Sequence, residues 1–485
     1  MGGLLPIVHV LGLMAMLMSA TQLMPIVASV IYDDGTTYLF AFSMVLNFAI
    51  GFFVWLATRR YKRELKPRDG FLLVSLAWSG GAAFATVPLM LALPGTSFTD
   101  AYFETMSGLS TTGATVFSGL DDFPEAVNLW RHELNWLGGM GIIVLAVAIL
   151  PLLGVGGMQV YKAETPGPMK DSKLTPRITE TAKNLWLVYA GLTLLCMLAL
   201  KWAGMSWLDA ICHAFAALSL GGLSTHDASV GFFDSPLIEF ILIVFMVIAA
   251  LNFATHFLAL RGHSLRPYLH DTEAKAVLLV LAVSCVGIAL YIHLEGVYDD
   301  YGDALRYVSF NLVSIATDCG FVSTDYEKWP IFAPMFMLFL SAITASSGST
   351  GGGVKMIRTL ILGRQAQREM LMLLHPQAMR PLKIGGGIIP DKAIYSVLGF
   401  IFVYFMSVVV LSFALMASGL DFISAFTAII ACINNAGPGL GKVGPSANYG
   451  GLTDFETWIC TLAMFGGRIE LFTLLILFTP AFWRK

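Results

Sequence analysis

Four short phrases in this 485-residue chain place a glycine directly after backbone carbonyls that could replace the hydration shell of a cation. They are Ser110-Thr111-Thr112-Gly113-Ala114, Leu220-Gly221-Gly222-Leu223, Thr317-Asp318-Cys319-Gly320-Phe321 and Asn434-Asn435-Ala436-Gly437-Pro438. In each, a short, mostly apolar segment runs into the glycine and a polar stretch follows. Each is introduced by an upstream aspartate: Asp100, Asp209, Asp303 and Asp421. Glycine has no Cβ, so Gly113, Gly222, Gly320 and Gly437 permit dihedrals that turn successive carbonyls toward one axis. The candidate ligands are the carbonyls just before each glycine: Thr111 and Thr112, Leu220 and Gly221, Asp318 and Cys319, Asn435 and Ala436. Their side chains differ from copy to copy, which backbone ligation tolerates. One such glycine alone reads as a helix C-cap; four in register read as a ring.

The segments that must position these carbonyls are short. The half-spans 99–110, 207–219, 302–316 and 421–433 are mostly about 12 residues, roughly 18 Å of helix against a hydrocarbon core of ~30 Å. Each therefore enters and returns on one face. Non-helical backbone at that depth is tolerated only inside protein or beside a water-filled cavity. A half-helix entering from outside aims its C-terminal end, with roughly half a negative charge, at the membrane centre. Four such ends favour a cation.

Composition places these loops in a membrane. Hydrophobic residues make up 56% and charged residues 13%, against about 25% charged in a soluble domain; the mean hydropathy is +0.74. The expected fold is all-α and integral to the membrane, with ten spans: 4–31, 38–58, 71–93, 125–150, 184–204, 235–260, 274–294, 330–360, 393–418 and 454–480. Residues 4–31 lack a basic leader and exceed a signal sequence in length, so they read as a span. The units are a two-helix pair (1–69) and four pore repeats (70–182, 183–271, 272–389, 390–485). Most of the 29 Lys and Arg fall on the side of both termini, which makes that side cytoplasmic and turns all four loops outward. Parallel repeats of span, half-span, glycine and span suit a pseudo-fourfold arrangement about a pore. A net charge of −3 gives no basic field for nucleic acid. Cys196, Cys212, Cys285, Cys319, Cys432 and Cys460 lack metal-ligand spacing and read as small buried hydrophobes.

Control of an ion path would sit beneath the glycines. Arg468 lies in an apolar span between Gly466-Gly467 and Glu470. A charge at that depth is costly and functional by default. Facing the pore it would repel a cation; the blander reading is a structural ion pair with Glu470 or with another helix. Ala345-Ser-Ser-Gly-Ser-Thr-Gly-Gly-Gly353 cannot hold a helix well, so Gly348, Gly351, Gly352 and Gly353 suggest a flexible gate. The blander reading is a frayed cytoplasmic helix end. Val354 and Met356 stand where a nucleotide loop needs Lys and Ser or Thr, so no phosphate site is read there. Asp33, Asp34, Asp121, Asp122, Asp299 and Asp300 read as solvated outer loops. Arg131 and Glu133 are expected to pair with each other or a neighbour, and His256 to be packed.

These phrases, with Trp136-Leu-Gly-Gly-Met-Gly141 and Gly466-Gly-Arg-Ile-Glu470, make the chain resemble the Trk/Ktr/HKT superfamily of potassium transporters, and within it the bacterial TrkH type. The resemblance covers nearly the whole chain. It implies a potassium filter with one glycine per repeat, an intramembrane gating loop at 345–353 and an arginine barrier at Arg468. In sodium-favouring relatives serine looks to replace the first glycine; Gly113 favours potassium. The resemblance further implies a homodimer in the bacterial inner membrane and a cytoplasmic nucleotide-binding ring of TrkA type, for which 156–183 and 358–392 are docking candidates. Potassium is substrate; neither a resident cofactor nor covalent chemistry is expected. The rival reading is proton- or sodium-coupled symport, for which Asp318 is the conspicuous carboxylate.

Overall fold

Six helices among the described residues are long and apolar enough by themselves to cross a membrane: Leu5–Tyr32, Thr37–Thr58, Arg68–Ala92, Ala182–Trp202, Thr272–Leu294 and Asp391–Ala417. The structure, a computed structural model, describes residues 4–61, 67–144, 178–377 and 380–484. Most of the linker 156–183, the end of the expected span 125–150, and the basic residues Lys62, Arg63, Lys66 and Lys485 lie outside them. The helix Thr272–Leu294 illustrates why these segments need lipid. Leu279, Val283, Val286 and Leu290 form an exposed apolar stripe, while Val277, Leu281, Ile288 and Ile292 pack inward. A helix apolar on both faces belongs in a bilayer.

The remaining four expected spans are not straight apolar helices, each for a local reason. Residues 235–260 form Pro236–Ala250 and Phe253–Gly262, bent by 99°. Leu251 is extended and Asn252 caps the second piece by accepting from Ala254 N at 2.8 Å. Residues 454–480 bend by 111° after Arg468, where Glu470 takes a φ of +64°. Residues 330–360 contain a helix only to Ser341, and the next begins at Met356; the glycine-rich stretch between them is not a frayed helix end but a break with its own partners. Residues 125–144 are helical but carry Arg131, His132 and Glu133.

Four short helices fill the middle: Phe98–Leu109, Trp207–Ser219, Tyr301–Ala316 and Phe422–Asn434. Ser97, Ser206, Asp300 and Asp421 cap them, each accepting from a backbone N–H three residues on. The register of the aspartates is thereby corrected. Asp100, Asp209 and Asp303 stand in the first turn, whereas Asp421 is itself the cap and Ser424 occupies the matching place. The third half-helix has 16 residues against 12 or 13 in the others, one turn more. The half-helices are buried almost to their ends in two clusters, one drawn mainly from repeats two and three, the other from repeats one and four. Beyond the helix Met356–Leu374, Lys383–Ile384 and Gly387–Ile388 pair antiparallel. Gly385 and Gly386 both have positive φ in the two-residue turn.

Candidate functional site

Each half-helix ends in the same way. The residue two before the glycine is left-handed: Thr111 (φ 52°), Leu220 (54°), Asp318 (67°) and Asn435 (60°). The next residue returns its N–H to the carbonyl five residues back: Thr112 to Ser107, Gly221 to Ala216, Cys319 to Ser314 and Ala436 to Ala431, at 2.8–2.9 Å. This is the geometry that closes a helix C-terminus on a left-handed residue. It is built here without glycine at the left-handed position, so no residue type marks it. The glycines that follow, Gly113, Gly222, Gly320 and Gly437, also have positive φ, between 56° and 93°.

The four copies then close on one another. A Cβ on Gly113 would lie 2.2 Å from the carbonyl oxygen of Gly221; on Gly222, 1.9 Å from that of Cys319; on Gly320, 2.6 Å from that of Ala436; and on Gly437, 2.7 Å from that of Thr112. Each glycine abuts the carbonyl that precedes the next repeat's glycine, and the fourth returns to the first. The contacts therefore form a four-membered ring in chain order. The four glycines also line a single concavity with Thr115, Ser224, His226 and Asp227. All twelve candidate filter residues take part: Thr111, Leu220, Asp318 and Asn435 as the left-handed corner, Thr112, Gly221, Cys319 and Ala436 as the abutting carbonyls, and the four glycines themselves. Thr111, Thr112, Leu220, Asp318, Cys319, Asn435 and Ala436 are at most 1% exposed.

Of the loop acids, Asp33, Asp121, Asp122, Asp299 and Asp300 are exposed, as expected, and Asp34 is half-buried; several also tie the rim together. Asp34 accepts from Ser29 and Thr36 and from the N–H of Ala126 at 2.8 Å. Burial works to raise its pKa, but those hydrogen bonds outweigh it and hold the carboxyl below its usual range. His226 bonds Asp121 and lies 3.4 Å from Asp209. Burial opposes the imidazolium, yet the close Asp209 carboxylate and the hydrogen-bonded Asp121 carboxylate outweigh it and raise the His226 pKa above its ordinary 6.5. Asp300 is a helix cap. Arg131 bonds Glu104 at 2.7 Å, not Glu133. His256 is packed between Tyr268 Oη (2.6 Å) and Ile248 O (2.8 Å).

Beneath the ring lies the glycine-rich stretch. Gly348 (φ 75°) and Gly353 (φ 68°) turn it sharply. Gly351 would place a Cβ 2.7 Å from that of Ala345, and Gly352 one 2.1 Å from the carbonyl of Asn434, so neither admits a side chain. Two bonds pin the stretch to the ring's own elements and a third ties it to Arg468. Gly352 N–H donates to Asp318 Oδ2 at 3.0 Å, Thr350 Oγ1 donates to Leu218 O at 3.1 Å, and Arg468 Nη1 donates to Thr350 O at 2.8 Å. Glu273 accepts from Ser347 N within the break and from Ile357 N just beyond it. Arg468 is 2% exposed and also donates to Gly138 O at 3.0 Å. The expected blander pairing with Glu470 is absent: Glu470 pairs with Arg358 at 2.9 Å. Sequence reasoning missed Thr350, Gly138 and Glu273 as partners, because a backbone carbonyl gives no residue-type signal. Glu273 could have been found as an acid opening an apolar span.

A family model described as a cation transport protein, TrkH, matches residues 38–485. The chain belongs to the TrkH family. It is similar to the Trk system potassium uptake protein TrkH of Halomonas elongata, 46% identical over 99% of both chains. The protein of the same name from Escherichia coli K12 is 44% identical, again over 99% of each. Its fold matches the crystal structure of the potassium transporter TrkH from Vibrio parahaemolyticus with a TM-score of 0.91, 42% identity and 99% coverage of both chains. Membership of the TrkH family and the apolar helices point the same way: this is a multi-pass membrane transport protein.

Proposed function

We propose that the chain takes up potassium across the bacterial inner membrane through a filter of backbone carbonyls at Thr111–Gly113, Leu220–Gly222, Asp318–Gly320 and Asn435–Gly437. The single observation that carries this reading is the cyclic contact of each glycine with the carbonyl before the next repeat's glycine. A ring of carbonyls held at fixed spacing can replace a hydration shell without charged side chains. The C-terminal ends of four half-helices give the site its negative sign. The names of the similar proteins, all potassium uptake or potassium transporter proteins, support the choice of ion.

Gating falls to the stretch 345–353, with Gly348, Gly351, Gly352 and Gly353, and to Arg468. Arg468 places a buried cation against Thr350 O of that stretch, and a fixed positive charge beneath a cation filter is an electrostatic barrier. Asp318 joins filter and gate through Gly352 N–H. In this reading both termini are cytoplasmic, the protein is a homodimer, and a nucleotide-binding ring of TrkA type docks at 358–392 and 156–183. Potassium and sodium flux in proteoliposomes, with and without that ring, tests the proposal: potassium flux must exceed sodium flux and must respond to the ring. Equal fluxes sink the filter reading.

Coupled symport with protons or sodium is the second reading. Asp318 Oδ1 favours it, being buried without a hydrogen-bond partner among the described residues. A reversal potential that moves with pH or with sodium would establish coupling; one that tracks potassium alone leaves a channel.

A further inference from the structure

Each strand that leaves the ring is held by a side chain of its own half-helix. Nine residues before the glycine stand Glu104, His213 and Asn311 in repeats one to three, and in repeat four Thr427 stands ten before. Glu104 Oε2 accepts from Val116 N at 3.1 Å. His213 Nε2 bonds Ser224 Oγ at 3.0 Å. Asn311 Oδ1 accepts from Ser323 N at 3.1 Å while its Nδ2 donates to Ser323 Oγ at 2.9 Å. Thr427 Oγ1 accepts from Leu440 N at 2.9 Å. The partner is always two or three residues beyond the glycine. Four unlike side chains thus hold the same stretch in each repeat, three by accepting from its backbone N–H and His213 by bonding the Ser224 hydroxyl, and all four are at most 1% exposed.

We propose that Glu104, His213, Asn311 and Thr427 are positioning residues that set the spacing of the filter carbonyls and thereby its preference for potassium over sodium. The proposal rests on the filter reading above. Each filter segment hangs between two fixed points. Inward, the residue before the glycine is bonded to the half-helix terminus. Outward, the clamp holds the strand two or three residues past it. Between them lies a glycine, the residue least able to hold its own dihedrals. Release of the outer point leaves the glycine peptide free to turn, and a loosened ring can close on a smaller ion.

Repeat one carries the charged version. Glu104 is gripped by Arg131 at 2.7 Å, and Arg131 Nη1 donates across to Ser224 O of repeat two at 3.3 Å. That guanidinium therefore steadies two neighbouring clamps. Thr115 Oγ1 is shared between Glu104 and Arg131.

The test uses Thr427→Val, which keeps shape and loses the hydroxyl, against Thr427→Ser, which keeps the hydroxyl. Asn311→Leu and Glu104→Gln are run beside them. The readout is the sodium-to-potassium permeability ratio from bi-ionic reversal potentials in proteoliposomes, which does not depend on how many molecules are folded. Thr427→Val and Asn311→Leu are expected to raise the ratio about fivefold, the worth of one hydrogen bond, and Thr427→Ser to keep it at the wild-type value. A selective wild type with unaltered Val and Leu variants overturns the clamp alone, as does a Ser variant that shifts as far as Val. A wild type with no potassium preference overturns the filter reading and the clamp together.

Discussion

Alanine at each of the four ring glycines should damage the filter in an order set by distance. Every substitution forces a Cβ into the left-handed region, which costs roughly 1–2 kcal/mol in each copy alike. The clash is what differs. The Cβ would lie 1.9 Å from a carbonyl oxygen at Gly222, 2.2 Å at Gly113, 2.6 Å at Gly320 and 2.7 Å at Gly437. Contacts below 3.0 Å are not sustained, so the opposing carbonyl must retreat by about 1.1 Å at Gly222 but only about 0.3 Å at Gly437. The obstructing atom is backbone and cannot swing aside as a side chain would. A retreat of about 1 Å takes a carbonyl out of coordination range, whereas 0.3 Å is within ordinary filter flexibility. Potassium uptake in cells lacking other uptake routes, followed by permeability ratios on purified protein, measures the order. Gly222→Ala should lose potassium selectivity most, then Gly113→Ala, with Gly437→Ala least affected. Wild-type selectivity in Gly222→Ala, or a worse defect in Gly437→Ala, would refute the ring geometry.

Other expectations concern the gate and the rim. Arg468→Ala removes the donors to Thr350 O and Gly138 O and should raise cation flux through the unregulated protein severalfold; unchanged flux counts against the barrier. A bifunctional thiol cross-linker bridging introduced cysteines at positions 350 and 468 should block flux, since the arginine side chain that it replaces already spans the gap to Thr350 O. Glu470→Gln weakens a pair whose arginine is 2% exposed but whose glutamate is 35% exposed, so solvent screening limits the loss of thermal stability to about 1 kcal/mol, with the filter ratio unchanged. His226 has a raised pKa, so its contribution is fully present below the ordinary 6.5 and is lost as pH rises through the raised value. Its partial exposure to solvent screens that contribution to less than about 1 kcal/mol. Melting temperature should drop across that interval in wild type but not in His226→Gln.

The ring was legible because its requirement is severe: glycine recurs where a Cβ cannot stand, and four apolar half-spans lead into it. The left-handed residues before it were not legible, since Thr111, Leu220, Asp318 and Asn435 share no side-chain character. Asp421 was misaligned because serine and aspartate are interchangeable as caps, so the acid marks the cap in one repeat and the first turn in the others. The bends at Asn252 and Glu470 were hidden for a related reason: neither Pro nor Gly marks them. Arg468 stood out as a charge in an apolar span, but its partners are carbonyls, and Glu470, its neighbour in sequence, turns instead to Arg358 across the bend. The clamps were invisible as a set, because glutamate, histidine, asparagine and threonine are alike only in being able to reach one strand.

Diffraction from crystals grown in rubidium or thallium, read by anomalous scattering, tests the central claim most directly. A peak on the axis, within about 3 Å of the carbonyl oxygens of Thr112, Gly221, Cys319 and Ala436, is the expected result for a ring of carbonyls replacing a hydration shell. A peak held by side chains such as the Asp318 carboxylate, with none at those four carbonyls, would contradict it.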